Sequence, residues 1–202
     1  MPIDFDPSKT ALGLLHFQKD ICLEGGAMAP AEAEPLARIG AAIAQAAKVR
    51  AAARAVGMPV LHSAFGRRED GHFANRFARL SNWAHQIGGC VEGHQGHEFV
   101  TELVPDPDEM VTYSGGISAF TSSSFGADIA SLGVQTLILG GITTHWVVEG
   151  TVREAADRGF DCIVLKDASA AANPESHEGA LERLQFIARV SDVAEVCARL
   201  SQ

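Results

Sequence analysis

The sequence has no apolar run that approaches the ~18–20 residues a helix needs to span a bilayer. Its first six residues, MPIDFD, also lack the basic region and the apolar core of a secretory signal peptide. A membrane-spanning or secreted protein is therefore not expected. The default expectation is a cytoplasmic protein without a membrane partner.

Positive charge and paired cysteines are scarce as well. The chain has 16 lysine and arginine residues against 25 aspartate and glutamate residues, which gives a formal net charge of −9. Because nucleic-acid binders carry basic patches, this balance argues against a nucleic-acid partner.

The cysteines, Cys22, Cys90, Cys162 and Cys197, show no C-x-x-C spacing. They indicate scattered thiols in a reducing compartment, neither a disulfide framework nor a zinc site.

What the chain does contain is an alternation of apolar runs and helical patterns. Its 202 residues, 47% of them hydrophobic, fit one α/β domain over residues 1–202. The predicted strands are 12–17, 60–65, 110–113, 134–139 and 160–165, and the predicted helices are 35–56, 120–131, 145–158, 174–187 and 192–200. This alternation is typical of βαβ units in a parallel sheet.

Residues 66–97 interrupt the alternation. They are polar, contain several glycines and histidines, and show no clear period. A loop of this length in a compact domain predicts an active-site lid or an oligomer contact.

The segment GGITTHWVVE, residues 140–149, follows the apolar run 134–139 directly. An apolar run, a glycine-rich turn and a helix start are the pattern by which a parallel sheet presents a helix N-terminus at its carboxyl edge. Open α/β sheets bind ligands at that edge. The N–H groups at the start of a helix suit an anion or a nucleophile there.

Several segments together resemble one family. Residues 140–149 are similar to the motif G-I-A-T-N-x-C-V-E of the isochorismatase-like (cysteine hydrolase) superfamily, and the similarity covers about residues 10–200. The other matching segments are HFQKDI at 16–21, the Gly pair at 25–26, SAF at 118–120, VREAADRG at 152–159 and DASA at 167–170. The resemblance implies a three-layer α/β/α sandwich with a mainly parallel, six-stranded, doubly wound sheet. It also implies a homo-oligomer.

The chain departs from the family at the three positions that carry the chemistry. The resemblance implies an activating Asp, a Lys and a nucleophilic Cys, and His16, Ser114 and Val147 stand at those positions. A valine has no lone pair to attack a substrate, so a covalent thioester mechanism is excluded. The fold is expected to be retained while the chemistry differs.

His16 is the first candidate for a catalytic group. It is expected at the carboxyl end of a central strand, where an imidazole that titrates near neutral pH could act as general acid or base. Backbone N–H groups of Thr143 and Val147 could form an oxyanion hole, and the resemblance implies a cis peptide before Thr143. The expected substrate-binding residues are Gln18, His62, Ser114, Phe120, Thr143, His145, Trp146 and Val147.

Alternatives for single residues stay open. Ser114 or Ser118 could be a replacement nucleophile with His16 as its base, or the lysine could simply be lost. His145 and Trp146 could hold a planar ligand, or cap the helix and pack at an interface. His62, His72, His85, His94 and His97 lie in the region that supplies metal ligands in nicotinamidase-like relatives. A D-x-H triplet occurs at residues 70–72, but histidines are common in polar surface loops, and neither a metal nor a cofactor is expected.

Two hypotheses about function follow. The first is an enzyme that acts on a small planar or cyclic substrate, with His16 as acid or base and backbone oxyanion donors. The alternative is a non-catalytic pseudo-hydrolase that binds a small molecule or serves in an assembly. A pocket rebuilt with polar groups supports chemistry, and one filled by apolar side chains supports neither hypothesis.

Overall fold

Six strands form one sheet in which every neighbouring pair is parallel. The computed structural model describes residues 3–72 and 77–202, so Met1, Pro2 and residues 73–76 of the segment 66–97 lie outside the described residues. The strands are β1 (Thr10–Leu15), β2 (Val60–Phe65), β3 (Met110–Ser114), β4 (Thr136–Gly141), β5 (Asp161–Leu165) and β6 (Arg189–Ser191). Their order across the sheet is β3-β2-β1-β4-β5-β6.

Helices cover both faces of the sheet. They are α1 (Lys19–Cys22), α2 (Ala33–Ala55), α3 (Arg79–Gln86), α4 (Phe125–Leu132), α5 (Glu149–Asp157), α6 (Pro174–Leu184) and α7 (Val193–Leu200). Buried residues of α2 and α7 form one apolar core with the sheet, and those of α4, α5 and α6 form a second core on the other face. The expected three-layer α/β/α sandwich with a parallel, doubly wound sheet is confirmed. Within the described part of the chain, no helix is both long and apolar enough to cross a membrane.

The strand order places a topological switch point between β1 and β4. The chain winds outward from β1 to β2 and β3 on one side, and from β4 to β5 and β6 on the other. Loops at the carboxyl ends of the two central strands therefore part in opposite directions and leave a crevice. A Cβ at Gly140 would lie 2.8 Å from the carbonyl oxygen of Ala168, and one at Gly141 would clash with Leu15. Glycines are thus required where β4 enters the crevice.

Several predicted boundaries shift, for local reasons. β1 ends at Leu15, two residues early, because His16 has a left-handed φ of 58° that cannot continue a strand. α4 starts at Phe125 rather than at residue 120. At Phe125 the backbone N–H donates a hydrogen bond of 3.2 Å to the Ser123 hydroxyl. The helix expected at 145–158 opens with a π-helical turn, Thr144–Val148, before α5.

Three elements carried no prediction. The helix α1 has only four residues, too few to show a helical period. The strand β6 is only three residues long and gives no readable alternation. The helix α3 lies inside the segment 66–97, whose polar composition hides it.

Candidate functional site

His16 lies at the carboxyl end of β1, as its position in the sequence predicts. Its backbone N–H donates to the Ser63 carbonyl oxygen at 2.7 Å, which joins the strand end to β2. Its Nε2 lies 3.1 Å from the hydroxyl oxygen of Ser114, at the end of β3. The His16 ring also lies 6.1 Å, between centroids, from the ring of Phe65. The imidazole thus spans β2 and meets the strand beyond it.

Burial changes the titration of His16. The side chain is buried, and loss of solvation lowers the pKa of the imidazole from 6.5 to about 3. The expectation of a histidine that titrates near neutral pH therefore does not hold for this ring. The neutral form is present throughout the physiological range.

A cavity of about 70 Å³ opens beside His16, at the carboxyl ends of the central strands. Its buried wall is formed by Ile21, Phe65, Ile142 and Val147. Cavities of about 150 Å³ hold a benzene molecule, so this one suits only a very small ligand unless its walls move.

The rim of the cavity is also apolar. It includes Trp83 of α3, Ile117 after β3 and Trp146 of the π-helical turn, which are each 41% to 45% exposed. Among the residues that the structure describes, no side chain with a formal charge lines this cavity. The polar side chains of the lining are those of His16 and Thr143.

The turn that carries Thr143 and Val147 is held from outside the cavity. The peptide between Ile142 and Thr143 is cis. Thr144 N donates to the Ala170 carbonyl oxygen at 2.9 Å, and the buried Thr144 hydroxyl lies 2.8 Å from Nδ1 of His177 on α6. Thr143 Oγ1 is buried and has no partner within residues 3–72 and 77–202. Thr143 and Val147 both line the cavity. An oxyanion hole formed by their backbone N–H groups would have to lie there.

Of the other expected residues, Trp146 lines the cavity and Ser114 touches His16 without lining it. Ser114 is buried, and its hydroxyl also donates to the Gly116 carbonyl oxygen at 3.4 Å. Ser118 donates to Glu154 Oε2 at 2.6 Å, away from His16. A serine nucleophile therefore lacks an exposed hydroxyl beside the imidazole.

The expectation that His62 faces the pocket is wrong. Alternate residues of a strand point to opposite faces, and His62 lies on the same face of β2 as Val60, whose side chain joins the core under α2. There its Nε2 lies 2.9 Å from Glu109 Oε2, and its ring meets Phe99 edge-on at 5.4 Å. His62 is a partner in a buried polar network, with no contact to the cavity.

Gln18 and Phe120 are also placed elsewhere than expected. The Gln18 amide donates to the carbonyl oxygens of Phe65 and His97 and accepts from Phe65 N, so its polar atoms are used in joining loops. Phe120 packs edge-on against Phe125 at 5.1 Å, under the guanidinium of Arg158. Ile117, not Phe120, lines the cavity.

His145 lies next to the cavity but does not line it. Its ring is 4.9 Å from that of Trp146, and burial lowers its pKa, although Glu149 opposes that effect. Its Nδ1 is buried and, in the described part of the chain, unpartnered.

Two further features bear on the site. The described residues contain no group of three or more His, Cys, Asp or Glu side chains placed to hold a metal ion, and His97 instead stacks on Tyr113 at 5.2 Å.

A larger, open groove of about 860 Å³ lies beside the edge strand β6. It is far from the switch point and mixes acidic and basic side chains, so the smaller cavity is the better candidate.

The sequence reasoning missed most of the apolar lining. Leu80 and Trp83 are three residues apart, a helical spacing that is visible within the segment 66–97. Ile21 lies in the four-residue helix α1, Met28 and Ile117 lie in loops, and none of the three carries such a signal.

Comparison with known proteins agrees with this architecture. The family profile described as the isochorismatase domain matches residues 10–195. The chain is 31% identical to the ureidoacrylate amidohydrolase RutB of Methylobacterium radiotolerans, over 96% of this chain and 80% of that protein. It is 29% identical to the protein of the same name from Pseudomonas syringae pv. syringae, over 99% of this chain and 87% of the other.

Solved structures show the same fold. A cysteine hydrolase from Pseudomonas syringae pv. phaseolicola superposes with a TM-score of 0.87 at 24% identity, covering 100% of this chain and 95% of the other. An isochorismatase family protein from Desulfovibrio vulgaris gives a TM-score of 0.82 at 28% identity, covering 96% and 99%. Together with the profile match over residues 10–195, this similarity means that the chain belongs to the isochorismatase family of hydrolases.

Proposed function

We propose that the cavity beside His16 binds a small, neutral, planar molecule without forming a covalent thiol intermediate. One observation carries the proposal: in the described residues, the cavity has an apolar lining without a formal charge. A charged ligand buried there would lose its hydration without gaining a partner, at a cost of several kcal/mol. A neutral ligand avoids that cost.

The same reasoning separates this chain from its named relatives. Ureidoacrylate carries a carboxylate, and among residues 3–72 and 77–202 no lysine or arginine lines the cavity to receive it. Val147 offers no thiol at the start of the helical turn. We therefore expect no hydrolysis of ureidoacrylate by this protein.

Binding without turnover fits the site better than acid–base catalysis. A general acid or base works best when its pKa lies near the working pH, and burial lowers the pKa of His16 to about 3. The second candidate, hydrolysis by water with His16 as a weak base, is favoured by one observation. The imidazole lines the cavity and is held by Ser114 at 3.1 Å.

Acetamide and acetate form a matched pair for the test, because they have the same shape and differ in charge. Ligand-detected NMR would measure the affinity of each, and the same samples would be assayed for acetate formed from acetamide. Acetamide is expected to bind weakly, since a ligand of this size has few atoms to contribute. Acetate is expected not to bind, and no acetate should form.

A substitution that fills the cavity gives the control. Val147→Phe places a ring in a space of about 70 Å³ and should abolish acetamide binding. Val104→Phe makes the same change at an exposed position and should leave binding unchanged. Equal binding of acetate, or acetamide binding that survives Val147→Phe, would overturn the proposal. Acetate formation that disappears in His16→Ala would establish the second candidate instead.

A further inference from the structure

The hydrogen bonds of Ser114 indicate which ring nitrogen of His16 carries the proton. Ser114 has one hydroxyl proton and two neighbours: His16 Nε2 at 3.1 Å and the Gly116 carbonyl oxygen at 3.4 Å. A carbonyl oxygen only accepts, so the contact with Gly116 is a hydrogen bond only when Ser114 donates to it.

Only one arrangement satisfies both contacts. If the Ser114 proton points at Gly116, the Ser114 oxygen must accept from His16, and Nε2 carries the ring proton. If the proton points at His16 instead, the buried Gly116 contact becomes two facing acceptors. The first arrangement makes two hydrogen bonds where the second makes one, so the first is favoured in a buried site.

A neutral imidazole with its proton on Nε2 has a lone pair on Nδ1. Since Ser114 occupies Nε2, Nδ1 is the ring nitrogen left to a ligand in the cavity that His16 lines. We infer that His16 acts as a hydrogen-bond acceptor that selects ligands presenting an N–H or O–H group, such as primary amides, over ligands that only accept. This inference rests on the proposed binding function of the cavity.

Acetone is a close match to acetamide, with a methyl group in place of the amide NH2 group, and it can only accept. The two ligands differ in hydration, so the quantity to compare is their affinity ratio in the natural protein and in His16→Phe. The acetamide-to-acetone ratio should fall about tenfold in His16→Phe, the value of one hydrogen bond in a site that excludes water. Ser114→Ala should lower it too, because Nε2 loses the acceptor that holds its proton.

The ring nitrogens can also be observed directly. In protein labelled with ¹⁵N at histidine, His16 should show a protonated Nε2 and an unprotonated Nδ1 between pH 6 and 8. This measurement needs no variant, which matters because phenylalanine at the left-handed φ of residue 16 could prevent folding.

The outcomes separate the inference from the function on which it rests. A protonated Nδ1, or a ligand ratio that is the same in both proteins, would overturn the inference while neutral ligands still bind better than acetate. Equal binding of acetamide, acetone and acetate would instead overturn the proposed function.

Discussion

Glu109 Oε2 lies 2.9 Å from Nε2 of the fully buried His62, and the same carboxylate accepts three hydrogen bonds from Arg50 and one from Arg54. The side chain of Glu109 is 4% exposed. The network ties α2 to β2 and to the start of β3, away from the cavity. It is therefore a structural element, and it explains why a histidine occurs in β2.

Removing the Glu109 charge should destabilise the protein. Glu109→Gln keeps the shape but removes the buried one of the two carboxylates that pair with the nearly buried Arg50 guanidinium, so a loss of about 3 kcal/mol is expected in urea unfolding. The matched control is Glu98→Gln, which breaks the surface pair with Lys19 and should cost less than about 1 kcal/mol. Similar losses in the two variants would show that the network adds nothing beyond a surface ion pair.

The burial of His16 should appear as an acid sensitivity of folding. The unfolded chain takes up a proton near the ordinary pKa of 6.5, whereas the folded ring remains neutral down to about 3. Protons therefore favour the unfolded state, and stability is lost as the pH falls from about 6.5 toward 3.

Urea unfolding at pH 7, 5.5 and 4.5 measures this contribution of His16. The loss between pH 7 and 4.5 should be smaller in His16→Asn, a residue that tolerates the same left-handed φ. His72→Asn is the matched control, since that side chain is 76% exposed, and it should follow the natural protein. A His16→Asn profile parallel to the natural one would contradict burial of a neutral ring.

The effects of substituting Thr144 and His177 on the free energy of unfolding should not be additive. His177→Phe leaves the buried Thr144 hydroxyl without its 2.8 Å partner, which should cost about 1–3 kcal/mol. Adding Thr144→Val removes the unpaired hydroxyl and should recover part of that loss. A double-mutant cycle by urea unfolding measures the coupling, and strictly additive losses would mean that the hydrogen bond does not form.

The thiols should react in an order set by burial. Burial raises the pKa of Cys90 and of Cys162 to about 12 and also raises that of Cys22, while Cys197 is the partly exposed cysteine. Iodoacetamide at pH 8 should therefore modify Cys197 first, as followed by peptide mass spectrometry. In denaturant all four should react at similar rates. Fast native modification of Cys22, whose thiol donates to the His16 carbonyl oxygen, would instead reveal a reactive thiol beside the cavity.

The sheet could be predicted from the sequence because each central strand is a short apolar run. The prediction for β2, 60–65, has the observed boundaries, and the helix α2 differs from its prediction by two residues or fewer. The end of β1 was misplaced because nothing in the apolar run signals the left-handed φ of His16.

The site was harder to predict than the sheet. Position after a strand identified His16 and Thr143, since both belong to loops at the carboxyl edge. Successive side chains of a strand point to opposite faces of the sheet. An error of one residue in the assumed register therefore moves a side chain from the cavity to the core on the other face. That is why His62 was assigned to the wrong face.

The glycines that close β4 against Leu15 and Ala168 also limit how the cavity can change. Any larger residue at Gly140 or Gly141 would push the central strands apart. Substitutions at these two glycines therefore cannot be used to change which ligand the cavity binds. The rim residues Trp83, Ile117 and Trp146 are substantially exposed and can be exchanged without repacking the sheet. A library that varies these three positions should alter ligand choice while most of its members remain folded.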